Sequence, residues 1–182
     1  MAAIGEKKYF DRKFLISAVG LLAVFFYFVA CALDRGSWHF LDGVDLVIHE
    51  SGHVMFMFFG EFVSFAGGTI IQIVLPLAFA LYFFLRHEFV SASVVSFWLG
   101  QNLTNISVYV ADAENMALPL LGGGIHDWNY MLGETGLLMQ APRIAAMFYS
   151  LGMFVYCLAL AVGFYGLHGG WRKRISDKQE RD

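Results

Sequence analysis

Apolar residues fall in long runs along this chain, with polar residues gathered at the run ends or at a few helical intervals. The first run, Phe14 to Leu33, follows a basic lead of Lys7, Lys8, Arg12 and Lys13. About 20 apolar residues let a helix cross hydrocarbon, so this run predicts a span. A secretory signal has a shorter core and a small-residue cleavage site, so the run reads as a retained helix. Val29-Ala30-Cys31 is faintly similar to a bacterial lipoprotein cleavage box, but Phe28 stands where that pattern prefers leucine. The second run, Leu41 to Val63, carries Asp42, Asp45, His49, Glu50 and His53, residues that are costly in lipid. The third, Gly67 to Leu85, holds Gln72 and Pro76 and predicts a kinked span, ended by Arg86-His87-Glu88. The fourth, Phe89 to Val110, turns polar in its second half, which must face protein or water. Residues 112–140 form a mixed connection with Pro119, Gly122-Gly123-Gly124 and His126-Asp127-Trp128, able to dip into the membrane. The last run, Ile144 to Leu167, precedes Trp171 beside Arg172, Lys173 and Arg174, an interfacial pattern.

These runs predict an all-α, polytopic transmembrane helical bundle with about five to six membrane segments, forming one integral membrane domain over residues 1–182. Its core is expected over 41–130, with basic tails at 1–13 and 168–182. Composition agrees. At 58% hydrophobic and 15% charged, the chain has too little polar surface to coat a soluble globule, and its mean hydropathy is +0.61. A net charge of −3, with basic residues at both ends, excludes a nucleic-acid surface and points to the lipid bilayer as partner. Cys31 and Cys157 each sit in an apolar run, where a disulfide has no loops to join. Two basic ends on one side require an even number of crossings, yet five runs are present. Either residues 112–140 cross as well, or one run is re-entrant, or the C-terminal tail breaks the rule.

The sharpest chemical signal is His49-Glu50-Ser51-Gly52-His53. A helix puts residues four apart on one face, where two imidazoles can hold one Zn²⁺, and Glu50 then stands beside the metal as a base for water. The bland alternative is a pair of histidines hydrogen-bonded within a bundle, which the adjoining glutamate makes less economical. At about 100° per residue, Asp42, Asp45, His49 and His53 share an arc of about 80°, so this stripe must face inward. Asp45, one turn before His49, is either an orienting carboxylate for that ring or a solvated residue near the helix start.

Catalytic zinc usually takes three protein ligands. Asp112 is one candidate third ligand, at the end of a polar stripe with Asn102, Asn105 and Tyr109. The pair His126 and Asp127, after the flexible glycines, is favoured over it, against the alternative of a surface turn with an N-cap aspartate. Asn102 and Asn105 suit amide donors to a developing oxyanion, with helix-to-helix hydrogen bonding an equal alternative. Both open N-x-[ST] strings, but inside a span neither is a glycosylation site. Gly67-Gly68 reads as a close-packing face in preference to a broken helix.

With the His-Glu-x-x-His pattern at 49–53, the chain resembles the site-2 protease class of intramembrane zinc metalloproteases. That class has a second motif with asparagine and proline ahead of Leu-Asp-Gly, whose aspartate is the third zinc ligand. Residues 115–124 here read NMALPLLGGG. Asn115, Pro119 and the glycines have counterparts, whereas the aspartate is missing, so Asp127 or His126 would have to substitute. The resemblance covers about residues 41–130 and implies zinc-dependent hydrolysis of a transmembrane or membrane-proximal peptide within or at the edge of the bilayer.

The leading expectation is therefore an intramembrane zinc metallopeptidase in the bacterial cytoplasmic membrane, with metal ligands His49, His53 and His126 or Asp127, and with Glu50 as general base. A membrane lipid hydrolase would use the same metal and base. A metal transporter or assembly factor would use the histidines without catalysis. A di-iron oxygenase needs more clustered histidines than the six present.

Overall fold

The computed structural model describes residues 12–35, 37–120 and 124–179; Lys7, Lys8, Gly122 and Gly123 lie outside the described residues. Among the described residues six α-helices form: α1 (Arg12–Leu33), α2 (Phe40–Phe56), α3 (Glu61–Leu85), α4 (Phe89–Ala111), α5 (Asp127–Glu134) and α6 (Ala141–Gln179). Short 3-10 turns, Met57–Phe59 and Leu138–Gln140, precede α3 and α6, and no strand occurs among the described residues. The second apolar run does not continue to Val63 as one element. It breaks at Gly60, whose φ of 95° lies in the region only glycine enters freely. α3 runs on through buried Pro76, and α6 takes in most of the expected C-terminal tail, ending at Gln179.

Among the described residues three helices are long and apolar enough to cross a membrane: Phe14–Leu33, Glu61–Leu85, and Leu138–Arg172 including the turn that leads into α6. All three leave large apolar side chains uncovered, among them Ile16, Phe26, Phe79, Leu81, Met147 and Phe154, as lipid contact requires. α2 and α4 carry the polar stripes and are not among the three. At 8 residues α5 is about 12 Å long, well short of hydrocarbon about 30 Å thick, so it adds no crossing.

Helix direction follows from side-chain pairs. Along α1 and α6, Phe14 meets Trp171 with ring centroids 5.9 Å apart, Phe28 meets Tyr156 at 5.9 Å, and Arg35 lies 3.6 Å over the Tyr149 ring. The two helices are therefore antiparallel. α4 is also antiparallel to α6. A Cβ on Gly166 would meet Phe89, one on Gly163 would meet Ser93, and one on Gly152 would lie 2.8 Å from the Gly100 carbonyl. Small residues at these points bring the two backbones close, and the Ser93 hydroxyl donates to the Ala159 carbonyl at 2.6 Å. The tight turn at residues 86–88 makes α3 antiparallel to α4, so α3 begins at the end of the bundle where α1 stops. α2 joins those two points and starts and finishes at one end. Leu21, Phe28, Phe97 and Tyr156 form one apolar core; Ile106, Val110, Leu132 and Ala145 form a second, which seats α5.

Candidate metal centre

The site stands where α2 crosses α3. Gly52 and Gly67 face each other so closely that a Cβ on Gly52 would overlap the Gly67 carbonyl, and a Cβ on Gly68 would lie 2.6 Å from His49 Nε2. The two glycines reserved by the sequence for packing thus admit the His49 ring between the helices. His49 and His53 follow at one helical turn, with ring centroids 4.8 Å apart and planes at 82°.

Their Nε2 atoms converge on one carboxylate oxygen. His49 Nε2 is 2.8 Å and His53 Nε2 3.3 Å from Asp127 Oδ2. His49 and Asp127 are buried, His53 half-buried, and one ligand atom from each lies within 4.8 Å of the others. On the far side of each ring, Nδ1 faces an acceptor: Gln72 Oε1 at 3.1 Å for His49 and the Ser64 carbonyl at 2.9 Å for His53. The Ser64 hydroxyl donates in return to the His53 carbonyl at 3.3 Å. A carbonyl cannot donate, so His53 Nδ1 carries the hydrogen and a neutral ring presents its Nε2 lone pair to Asp127. Two such lone pairs aimed at a carboxylate repel. Protons on both rings or one cation among the three atoms resolves the conflict, and two imidazoles with a carboxylate are a donor set suited to zinc. Asp127 lies in the connection between α4 and α6. Burial pushes its carboxyl upward, and hydrogen bonds from the two imidazoles, when both rings carry a proton on Nε2, outweigh that and hold it below the ordinary carboxylate range.

His126 is placed apart from this group. Its Nδ1 accepts the Asn129 N–H at 3.2 Å, capping α5, and its Nε2 faces Asp112 Oδ2 at 3.6 Å. Burial lowers its proton affinity despite that carboxylate, in keeping with a neutral capping ring. Asp112 closes the end of α4, accepting the Ala117 and Leu118 N–H groups at 2.9 Å each, and so also stands outside the metal group. Asp45 is fully buried and accepts the Trp98 indole N–H at 2.8 Å. The part of orienting His49 falls to Gln72 instead, whose signal was its isolation as a strongly polar residue in the third run. Asn102 donates to the Trp98 carbonyl at 3.0 Å, away from the histidines. Asn105 bridges Asp42 and Gln72. No known protein family, curated protein or solved structure matches the chain.

A cavity of about 590 Å³ adjoins the group, with His49, Glu50, Gln72, Asn105 and Tyr109 on its wall. Glu50 is exposed to it, within electrostatic reach of His53 and Tyr109. The Tyr109 hydroxyl accepts the Asp127 N–H at 3.2 Å and lies 3.4 Å from Asp127 Oδ2, while its ring stacks on His126 at 4.1 Å. One histidine of the group, the carboxylate of Glu50 and the Tyr109 hydroxyl therefore border one chamber.

Proposed function

We propose that the chain is an intramembrane zinc metallopeptidase. What carries the reading is the convergence of His49 Nε2, His53 Nε2 and Asp127 Oδ2, with Glu50 on the wall of the adjoining cavity. Zinc held by these three residues would acidify water and polarise a peptide carbonyl. Glu50 takes a proton from the water whose oxygen attacks the scissile carbonyl carbon. It returns that proton to the departing nitrogen as the C–N bond breaks. Tyr109, whose hydroxyl lies beside the group and donates to Asp127 Oδ2 only over 3.4 Å, replaces Asn102 and Asn105 as the hydrogen-bond donor to the developing oxyanion, since both asparagine amides hold shorter bonds elsewhere. The group lies near the start of α3 and beside α5, at one end of the bundle, which suits a peptide bond at the bilayer edge.

Metal analysis of detergent-purified protein tests the centre. Near-stoichiometric zinc is expected in the wild type and in His126→Ala, and loss is expected in His49→Ala and Asp127→Asn. Glu50→Gln should keep its zinc and lose all cleavage of transmembrane-helix reporter peptides in proteoliposomes. Zinc-free wild type, or equal loss in His126→Ala and Asp127→Asn, would overturn the ligand set. Full cleavage by Glu50→Gln would remove the base, and hydrolysis of lipid amides or esters in place of peptides would reassign the substrate.

A further inference from the structure

The His49 imidazole ends a chain of hydrogen bonds that runs through three other side chains. His49 Nδ1 meets Gln72 Oε1 at 3.1 Å, Gln72 Nε2 donates to Asn105 Oδ1 at 3.1 Å, and Asn105 Nδ2 donates to Asp42 Oδ1 at 3.1 Å. Gln101 Nε2 donates to the same Asp42 oxygen at 2.7 Å, and the other Asp42 oxygen accepts the His39 N–H at 2.7 Å. Asp42 and Gln72 are buried, and the three residues of the chain come from α2, α4 and α3.

Only one member of this chain has a fixed polarity. An ionised carboxylate accepts and cannot donate, whereas each amide can be turned end for end. Asp42 therefore requires the NH₂ of Asn105, which leaves the Asn105 oxygen toward Gln72. That oxygen requires the NH₂ of Gln72, which leaves the Gln72 oxygen toward His49 Nδ1. His49 must then carry a hydrogen on Nδ1, so that any proton shared between its Nε2 and Asp127 Oδ2, 2.8 Å apart, is an additional one that a bound cation displaces. His53 has a backbone carbonyl for the same purpose and needs no relay.

We propose that Asp42 is a positioning residue that sets the tautomer of His49, and with it the metal affinity of the centre, through Asn105 and Gln72. The proposal rests on the metal reading given above. Asp42→Asn gives it a sharp form. The His39 N–H still needs an oxygen, so the new amide places its NH₂ where Oδ1 stood. Gln101, which donates to that same oxygen at 2.7 Å, turns its Oε1 toward the new NH₂; Asn105 and Gln72 can each then flip to satisfy their neighbours, and Gln72 ends with its NH₂ toward His49 Nδ1. His49 is driven to the Nε2–H form, which cannot bind metal without losing that hydrogen. No packing volume changes along the way. Gln72→Glu added to Asp42→Asn supplies a carboxylate directly against His49 Nδ1 and restores the original tautomer with every amide still paired.

Two measurements on the full chain in detergent micelles test this. In metal-free protein, imidazole ¹⁵N shifts report whether His49 Nδ1 is protonated: it is in the wild type, it is not in Asp42→Asn, and it is again in the double variant. Zinc competition against a chromophoric chelator should show a 10- to 100-fold weaker affinity in Asp42→Asn, roughly the usual cost of losing an orienting partner, with recovery in the double variant. An unchanged His49 tautomer in Asp42→Asn would overturn the proposal, and so would weakened zinc binding that Gln72→Glu does not rescue. The nitrogen measurement needs no metal, so a wild type that binds no zinc would fail the metal reading while leaving the tautomer result separately decided.

Discussion

Gly68 faces His49 across the α2–α3 contact, and a methyl group there would sit 2.6 Å from the Nε2 atom that points at Asp127. Gly68→Ala must therefore move the imidazole or part the helices, since the obstacle is a ligand ring held on its other edge by Gln72. Zinc affinity should fall at least tenfold, the scale set by losing ring orientation. The helical content in far-UV circular dichroism should be kept; wild-type zinc affinity would show that the ring has room to spare. The histidine pair, Asp127 and the packing glycines were legible because helical spacing and residue chemistry are properties of the sequence. Gln72 and Ser64 were not legible as partners of His49 and His53. Which acceptor meets a given Nδ1 depends on how α3 crosses α2, and no local pattern encodes that crossing. His126 offered the same chemistry as Asp127 on paper. What separates them is that the imidazole caps the helix that begins at Asp127.

At the scale of elements, α5 is the least self-sufficient part of the site. A helix of 8 residues does not hold itself in water. It is kept by Met131 and Leu132, both buried, and by Trp128 packing edge-on to Phe148 at 5.6 Å. Asp127 reaches the histidines only while this docking persists. Leu132→Ala should cost about 2–5 kcal/mol of docking, the range for emptying a buried leucine site. Zinc that binds only the docked state should offset part of the loss. Hydrogen exchange over residues 127–134 is expected to speed up in the metal-free variant and to slow when zinc is added. Equal protection with and without zinc would mean that α5 is not coupled to the centre. The sequence placed this segment only as a mixed connection, because its helix depends on tertiary contacts and lacks a long apolar period of its own.

For the molecule as a whole, the antiparallel pairing of α1 with α6 bears on what the hydropathy pattern left open. Phe14 beside Trp171 puts the start of α1 and the far part of α6 at one end of the bundle. Three of the described helices qualify as spans; with α4 lying alongside α6 between the same two ends, α2 starting and finishing at the other end, and α5 too short to cross, the arrangement predicts four crossings. Five runs suggested an odd count because α2 looks in sequence like a span; its departure and return depend on Gly60 and on the direction of α3. The charges then fall into place. Of the 12 Lys and Arg residues, Arg35 and Arg143 belong to the end where α2 and α5 lie, and the rest precede Phe14, stand at or beyond the end of the apolar stretch of α6 or, like Arg86, sit in the α3–α4 turn. Positive residues favour the cytoplasmic side, so that bias predicts both chain ends inward and the His49–His53–Asp127 group toward the opposite face. Reporter fusions at residue 1 and at residue 182 should both read as cytoplasmic, and a fusion inserted near Glu114, between α4 and α5, should read as external. Ends reporting from opposite sides would require an odd number of crossings. That outcome would break the pairing of α1 with α6 on which this orientation depends.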